Sequence, residues 1–389
     1  MTGIEGHIQI QLRYRDGGVR SVSISSSRPV RASKVFVGKT IAETQEMIPL
    51  LFSICSTAQA CAAVRACERA LGVQPDAYNE RIRDVLVDME TLREHLWRVL
   101  LDWPSFYGGE ADKTALAQMV AIQGGFRQAL NAGGDVFKTG GSESEHASEA
   151  LADLQTRLMA LLQQAVFAQT PGEWLAIQEP QALQAWAGQQ QTIAANLINH
   201  VFERDWAASG SCESTALTVI EDDPLYEAMQ NSDFISLPRW QDQCCETTSL
   251  TRRDSPLLKG LKSGFGNGLL VRLVAHLVEI AELAQGINKF SAPVRAARTS
   301  PVTPAYRGIG RVAAARGELA HSVQLEDNVI SDYRILAPTE WNFHPQGIVN
   351  RALGSLKGDM DQVKQQAELL ITAIDPCVAY DLVIIEEAQ

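Results

Sequence analysis

Seven cysteines and seven histidines are the residues of this chain best suited to hold a metal or act as nucleophiles. Their spacing limits what they can do. No Cys-x-x-Cys pair occurs, which argues against zinc ribbons and thioredoxin-like redox sites. Cys244 and Cys245 are adjacent, and neighbouring side chains seldom ligate one ion. Cys61 and Cys67 are separated by about 600° of helical rotation, so they face different ways. These four read as buried core thiols. Cys212 lies in a Ser/Gly loop without companions. Cys55 and Cys377 differ in context. Cys55 immediately precedes Ser56-Thr57, a capping pair for a helix, and a helix N-terminus lowers a thiol's pKa. Cys377 follows Asp375-Pro376 between a helix and a strand. Both sit at element ends, where functional side chains concentrate. Spacing alone leaves open whether they are unrelated thiols or one site.

Other motifs carry less. His7, His95, His146, His200, His276, His321 and His344 form no ligand-spaced pair and read as core or surface residues. Gly264-Phe265-Gly266-Asn267-Gly268 lacks the P-loop lysine and follows no clear strand, so phosphate binding is not expected. No Gly-x-Ser-x-Gly elbow occurs, and Asp222-Asp223 and Glu386-Glu387 read as solvated faces.

The elements that must position these residues are mainly helical. His7–Tyr14 alternates polar with apolar, Asp16-Gly17-Gly18 turns, and Val19–Ser25 alternates again, which predicts a hairpin within an N-terminal β element over 1–39. A short helix over Ile41–Met47 is interrupted or ended by Pro49. The next runs from the Ser56-Thr57 cap to Leu71, with Gly72 as its stop. Apolar spacing predicts further helices over 77–101, 112–130, 145–168, 180–206, 265–286 and 347–373. Pro376 disfavours helix at Asp375. A second hairpin pairs Gly317–Val323 with Ile330–Leu336 across Glu326-Asp327-Asn328, and Asp381–Ile385 reads as a terminal strand. The Gly/Ser-rich 131–148 segment reads as a flexible loop. The fold class is α+β, mainly α: a helical body with small N-terminal and late β-hairpins.

The 389 residues are 46% hydrophobic and 21% charged, a globular composition. Basic residues number 34 and acidic residues 46, a net charge of −12, which disfavours nucleic acid and anionic membrane surfaces. No apolar run approaches the ~18 residues of a membrane span. Met1–Arg20 alternates rather than forming a signal-peptide core, so reduced thiols in the cytoplasm are expected.

Several segments together resemble the large subunit of nickel–iron hydrogenases. They are Ile4-Glu5-Gly6-His7; Ser56–Val64 behind Cys55; Cys245–Arg252; Gly268–Arg272; Ala315-Arg316-Gly317-Glu318-Leu319; Tyr333–Asn342 with Pro338-Thr339-Glu340-Trp341-Asn342; and Asp375-Pro376-Cys377. They follow that family's order, and the resemblance implies one large-subunit-like domain over 1–389. It also exposes losses. The family holds nickel and iron with four cysteines in two motifs. Here Phe52 and Tyr380 occupy two of those positions, leaving Cys55 and Cys377. Gln59 and Val383 replace two histidines, and Ser33 falls near the family's proton-relay glutamate. Two thiols cannot supply nickel's S₄ site, so neither nickel nor hydrogen activation is expected.

What the resemblance does imply is convergence of Cys55 and Cys377 as ligands of the Fe(CN)2(CO) iron unit. Ferrous iron with two cyanides and two thiolates is a dianion, and Arg316 matches the family arginine that would neutralise it. Thr339 would donate a hydrogen bond to a cyanide nitrogen. Arg316→Leu is expected to lower iron occupancy without unfolding the chain. The pattern is similar to the HupK/HoxV kind of maturation protein, which implies a non-catalytic scaffold with two kinds of partner, the hydrogenase large subunit and maturation chaperones. The alternative is a docking protein that recruits those partners without binding metal. With Val383 in place of the C-terminal His, the family's cleavage signal is missing. The resemblance also implies a metal held by the opening motif's Glu beside the C-terminal His; with Val383 there that site is expected to be lost, leaving structural roles for Glu5 and His7.

Overall fold

Ile8, Ile10, Leu12 and Tyr14 point inward from β1 (Ile8–Arg15) while Arg13 and Arg15 point outward, the pattern of a half-buried strand. The computed structural model describes residues 6–29, 32–74, 77–130, 136–141, 148–291 and 305–387; Glu5 lies outside them. β1 pairs antiparallel with β2 (Gly18–Ser26) across an Asp16-Gly17 turn in which both residues have positive φ.

Three helices follow. The first, α1 (Ile41–Leu51), opens on a capping box between Thr40 and Glu43. Pro49 does not end it; the ring sits in the last turn, and the helix runs on to Leu51. Next, α2 (Ser56–Leu71) ends at Gly72 in the left-handed conformation, φ 66°. It is packed between α1, the long helix α3 (Ala77–Trp97) and a later sheet. Arg83 of α3 is fully buried; it donates to both oxygens of Glu68 at 2.8 Å and to the carbonyl of Val136. Glu68 also accepts the Gly140 N–H at 3.0 Å. Residues 136–141 are thereby tied to α2 and α3, whereas the flanking parts of the 131–148 segment lie outside the described residues.

The helix Leu269–Asn288 is buried along most of its length and is the axis of the body. Two expected long helices are each divided. The 180–206 stretch forms Pro180–Gly188 and Ile193–Glu203, the second restarted by the Thr192 cap. The 347–373 stretch forms Ile348–Gly354 and Met360–Ile374, separated by a turn in which Gly358 has φ 136°. Two two-residue strands, β3 (Thr215–Ala216) and β4 (Cys245–Glu246), pair in parallel.

The late hairpin is part of a three-stranded antiparallel sheet: β5 (Arg307–Ala314), β6 (Gly317–Glu326) and β7 (Val329–Leu336). β5 was not expected. Its sequence, Arg-Gly-Ile-Gly-Arg-Val-Ala-Ala, lacks a row of large apolar residues because it lies directly against α2. A Cβ on Gly310 would sit 1.9 Å from the Ala62 carbonyl oxygen, and one on Gly308 2.2 Å from that of Ala66. The terminal strand β8 (Tyr380–Glu386) pairs parallel with the free edge of β1, giving the order β2-β1-β8. His7 Nε2 meets Asp381 Oδ2 at 2.8 Å, so His7 ties the two strands at their start.

Candidate functional site

The helix Met360–Ile374 stops at Asp375, which adopts φ 60° and sends its N–H back to the Ile371 carbonyl. Buried Pro376 follows, and then half-buried Cys377. The Cys377 N–H donates to Thr339 Oγ1 at 3.2 Å, which holds the cysteine against the short helix Pro338–Asn342. At the start of α2, Cys55 occupies the cap position. Both thiols line one cavity of about 80 Å³, with walls that include Arg28, Ser33, Phe52, Gln59 and Arg316. That volume suits several waters or one small polyatomic ligand. The convergence expected of Cys55 and Cys377 is thus present in the fold, as is Arg316. Thr339 stands behind Cys377 rather than on the cavity wall.

The expected lowering of the Cys55 pKa is wrong. Burial, then the neighbouring Cys377 and Glu90, push the Cys55 thiol up to about 12. The reason is local. The α2 amides that would have steadied a thiolate are occupied by Glu90, whose carboxylate accepts the Thr57 N–H at 2.8 Å and the Ala58 N–H at 2.9 Å. Neither Ser56 nor Thr57 is the cap; a carboxylate from α3 does that work.

A second set of polar groups backs Cys55. Gln59 Nε2 donates to Cys55 Sγ at 3.6 Å. Gln59 Oε1 is 2.8 Å from His321 Nε2, and His321 Nδ1 is 2.7 Å from the Tyr333 hydroxyl. With Gln59 donating to sulfur, its oxygen must accept from His321 Nε2–H, so Nδ1 accepts from Tyr333. Burial keeps this imidazole neutral, with a pKa near 3. Ser33 donates to the Tyr333 carbonyl at 2.6 Å, anchoring the same strand.

Arg316 is buried in an ionic cluster. It meets Glu94 Oε2 at 2.9 Å and Asp375 Oδ2 at 3.2 Å, and Asp375 is also held by Arg98 at 2.6 Å. Burial opposes ionisation of Asp375, but Arg316 and Arg98 outweigh it and hold its carboxyl below the usual range. The expectation that Arg316→Leu would leave the fold intact has a cost attached, because Asp375 and Glu94 would each lose one buried partner and keep only Arg98 and Arg93.

Arg28, at the end of β2, is a wall residue that the sequence reading missed. A lone arginine after a strand carries no signal; only the fold reveals it. Also unsignalled were contacts between distant residues. His95 and His276 approach through their Nδ1 atoms at 3.2 Å, and His95 Nε2 meets Glu279 at 3.0 Å. Cys244 is half-buried with its sulfur 3.3 Å from His344 Nδ1, so it is not the core thiol expected; Cys61, Cys67 and Cys245 are buried as expected. Among the described residues no group of three or more His, Cys, Asp or Glu is arranged to hold a metal.

This architecture is that of a hydrogenase large subunit. The fold matches that of a chain of the Ni-Fe-Se hydrogenase from D. vulgaris Hildenborough with a TM-score of 0.67 over 94% of both chains, at 16% identity. Residues 269–381 match the nickel-dependent hydrogenase family. Full-length similarity is to a narrower group: 30% identity to the hydrogenase expression/formation protein HoxV of Cupriavidus necator, over 95% of this chain and 94% of that one. Identity to the expression/formation protein HupK of Azotobacter vinelandii is 28%, over 98% and 99%. The chain belongs to this HupK/HoxV family of hydrogenase expression/formation proteins.

Proposed function

We propose that the chain is a non-catalytic maturation scaffold that holds the Fe(CN)2(CO) unit between Cys55 and Cys377 and passes it to a hydrogenase large subunit. The observation that carries this reading is selective retention. Two thiols from distant segments share a cavity with cations, while by the family resemblance Phe52 and Tyr380 replace the other two ligands of a nickel site. The unit is cargo, and the residues present fit it. Two soft thiolates suit low-spin ferrous iron and fall short of nickel's S₄ set. A buried dianion needs cations and donors; Arg316 and Arg28 are at the wall, and Gln59 donates to the Cys55 sulfur.

Delivery follows from ligand count. Two anchors hold the unit less firmly than four, so transfer to a four-cysteine target runs downhill. The partners in this reading are the hydrogenase large subunit as acceptor and maturation chaperones as donors, in the cytoplasm. Nucleic acid is not a partner, in keeping with the net charge of −12. Among the described residues no helix is long and apolar enough to cross a membrane.

The test is complementation of a host lacking this protein. Cys55→Ala and Cys377→Ala are expected to abolish hydrogenase maturation while the protein accumulates normally. Full maturation by both variants would sink the scaffold and leave the docking reading.

A further inference from the structure

Both cavity arginines carry one buried guanidinium nitrogen without a hydrogen-bond partner among the described residues, Nη1 of Arg28 and Nε of Arg316, and they differ in what stands beside that nitrogen. In Arg28, Glu340 Oε1 lies 2.8 Å from Nε, yet Nη1 is left without a partner. A buried guanidinium nitrogen left without a partner is costly, and such groups call for an explanation. The guanidinium's other neighbours are Cys377, whose thiol lies within side-chain hydrogen-bonding reach of it, and Cys55. The unbonded Nε of Arg316, by contrast, already faces a carboxylate, Asp375 Oδ2 at 3.2 Å, and its Nη2 meets Glu94, so two acidic partners neutralise its charge. Arg28 and Glu340 also line the adjoining cleft beside Ile8, Ile24 and Leu237, so this ion pair forms the partition between cleft and thiol cavity.

We propose that Arg28 is a specificity-determining residue of the site: its free Nη1 bonds an anionic ligand seated on the two thiols, and Glu340 fixes the guanidinium in place. Planar, permanently charged Arg suits this task better than Lys, since one edge can hold Glu340 while the other faces the ligand. The ligand's identity rests on the scaffold reading above; its negative charge does not.

The test separates the two. Reduced protein without iron is alkylated with iodoacetate and, in parallel, with neutral iodoacetamide, and modification of Cys377 and Cys55 is followed by mass spectrometry. The ratio of the two rates reports local positive potential and cancels general changes in accessibility. Arg28→Gln is expected to lower the iodoacetate-to-iodoacetamide ratio roughly five- to tenfold, from the loss of one nearby charge. Arg28→Lys should restore most of it, and Glu340→Gln should raise the ratio above wild type. An unchanged ratio in Arg28→Gln overturns the proposal. If that variant fails to fold, an unchanged ratio in Glu340→Gln does so instead. In iron-loaded protein, Arg28→Gln should shift the cyanide stretching bands or lower their intensity; identical bands at equal occupancy also overturn it. Absence of diatomic bands in the wild type would defeat the scaffold reading while leaving the alkylation result to decide on Arg28.

Discussion

Cys55 shows how a sound local rule is overridden by one residue from elsewhere. A thiol at a helix start ordinarily gains from the exposed amides. Here Glu90, from α3, takes the Thr57 and Ala58 N–H groups, and burial does the rest. Sequence showed the thiol and the helix but could not show who caps it. Arg316 gives the same lesson with a direct consequence. Arg316→Leu is expected to destabilise the chain by about 1–3 kcal/mol, because Glu94 and Asp375 would each lose one of two cationic partners while keeping Arg93 and Arg98. Denaturant unfolding checks this: a loss under about 1 kcal/mol would show that Arg98 alone satisfies Asp375. Cys55, Cys377 and Arg316 were legible because they sit in ordered motifs. Arg28 was not, since nothing in its neighbours' types distinguishes it from a surface arginine.

At the scale of elements, the site depends on how closely α2 lies on β5. Gly310 and Ala62 touch backbone to backbone, so Gly310→Ala must push the helix away and carry Cys55 with it. The expected cost is about 1–3 kcal/mol, together with reduced iron retention; full stability and retention would contradict this account of the packing. Glu90→Ala should cost about 2 kcal/mol through the lost cap of α2, measured by the same unfolding experiment. Asp88, on α3, has its pKa raised to about 7 by burial and by Asp84. A raised carboxyl pKa removes stability as pH climbs towards that value, since the folded state resists ionisation. Asp88→Asn should therefore raise the melting temperature more at pH 8 than at pH 5; an equal gain at both would contradict the assignment. Helix positions and both hairpins were readable from periodicity and turn residues. β5 was not, because small residues chosen for close contact erase the alternation that marks a strand. The turns that divide 180–206 and 347–373 were hidden for the opposite reason: the apolar spacing of the flanking helices runs through them.

For the whole molecule, the parallel pairing of β8 with β1 closes the chain on itself and brings Cys377 towards Cys55, a relation that follows from topology and not from local pattern. Motif order gave access to it through resemblance; periodicity alone would not have. Two buried neutral imidazoles set the acid limit of this assembly. Burial depresses His321 to about 3, and burial with the neighbouring His95 depresses His276 to about 4. Their folded-state values lie below the unfolded value near 6.5, so their contribution is complete above that pH. It is lost as pH falls, because the unfolded chain takes up protons first. At pH 5 the loss is roughly 2 kcal/mol for each. The urea midpoint should drop between pH 7 and pH 5, and His321→Gln should flatten that slope; an unaltered slope would show that His321 is not buried neutral.

The central claim is that Cys55 and Cys377 carry an iron unit with diatomic ligands. Infrared spectroscopy with iron and nickel analysis, on protein purified without oxygen from a maturation-competent host, tests it most directly. The account predicts sharp CO and cyanide bands with iron and without nickel, lost in Cys55→Ala and in Cys377→Ala. Iron-free protein without such bands, from a host in which the hydrogenase itself matures normally, would contradict it.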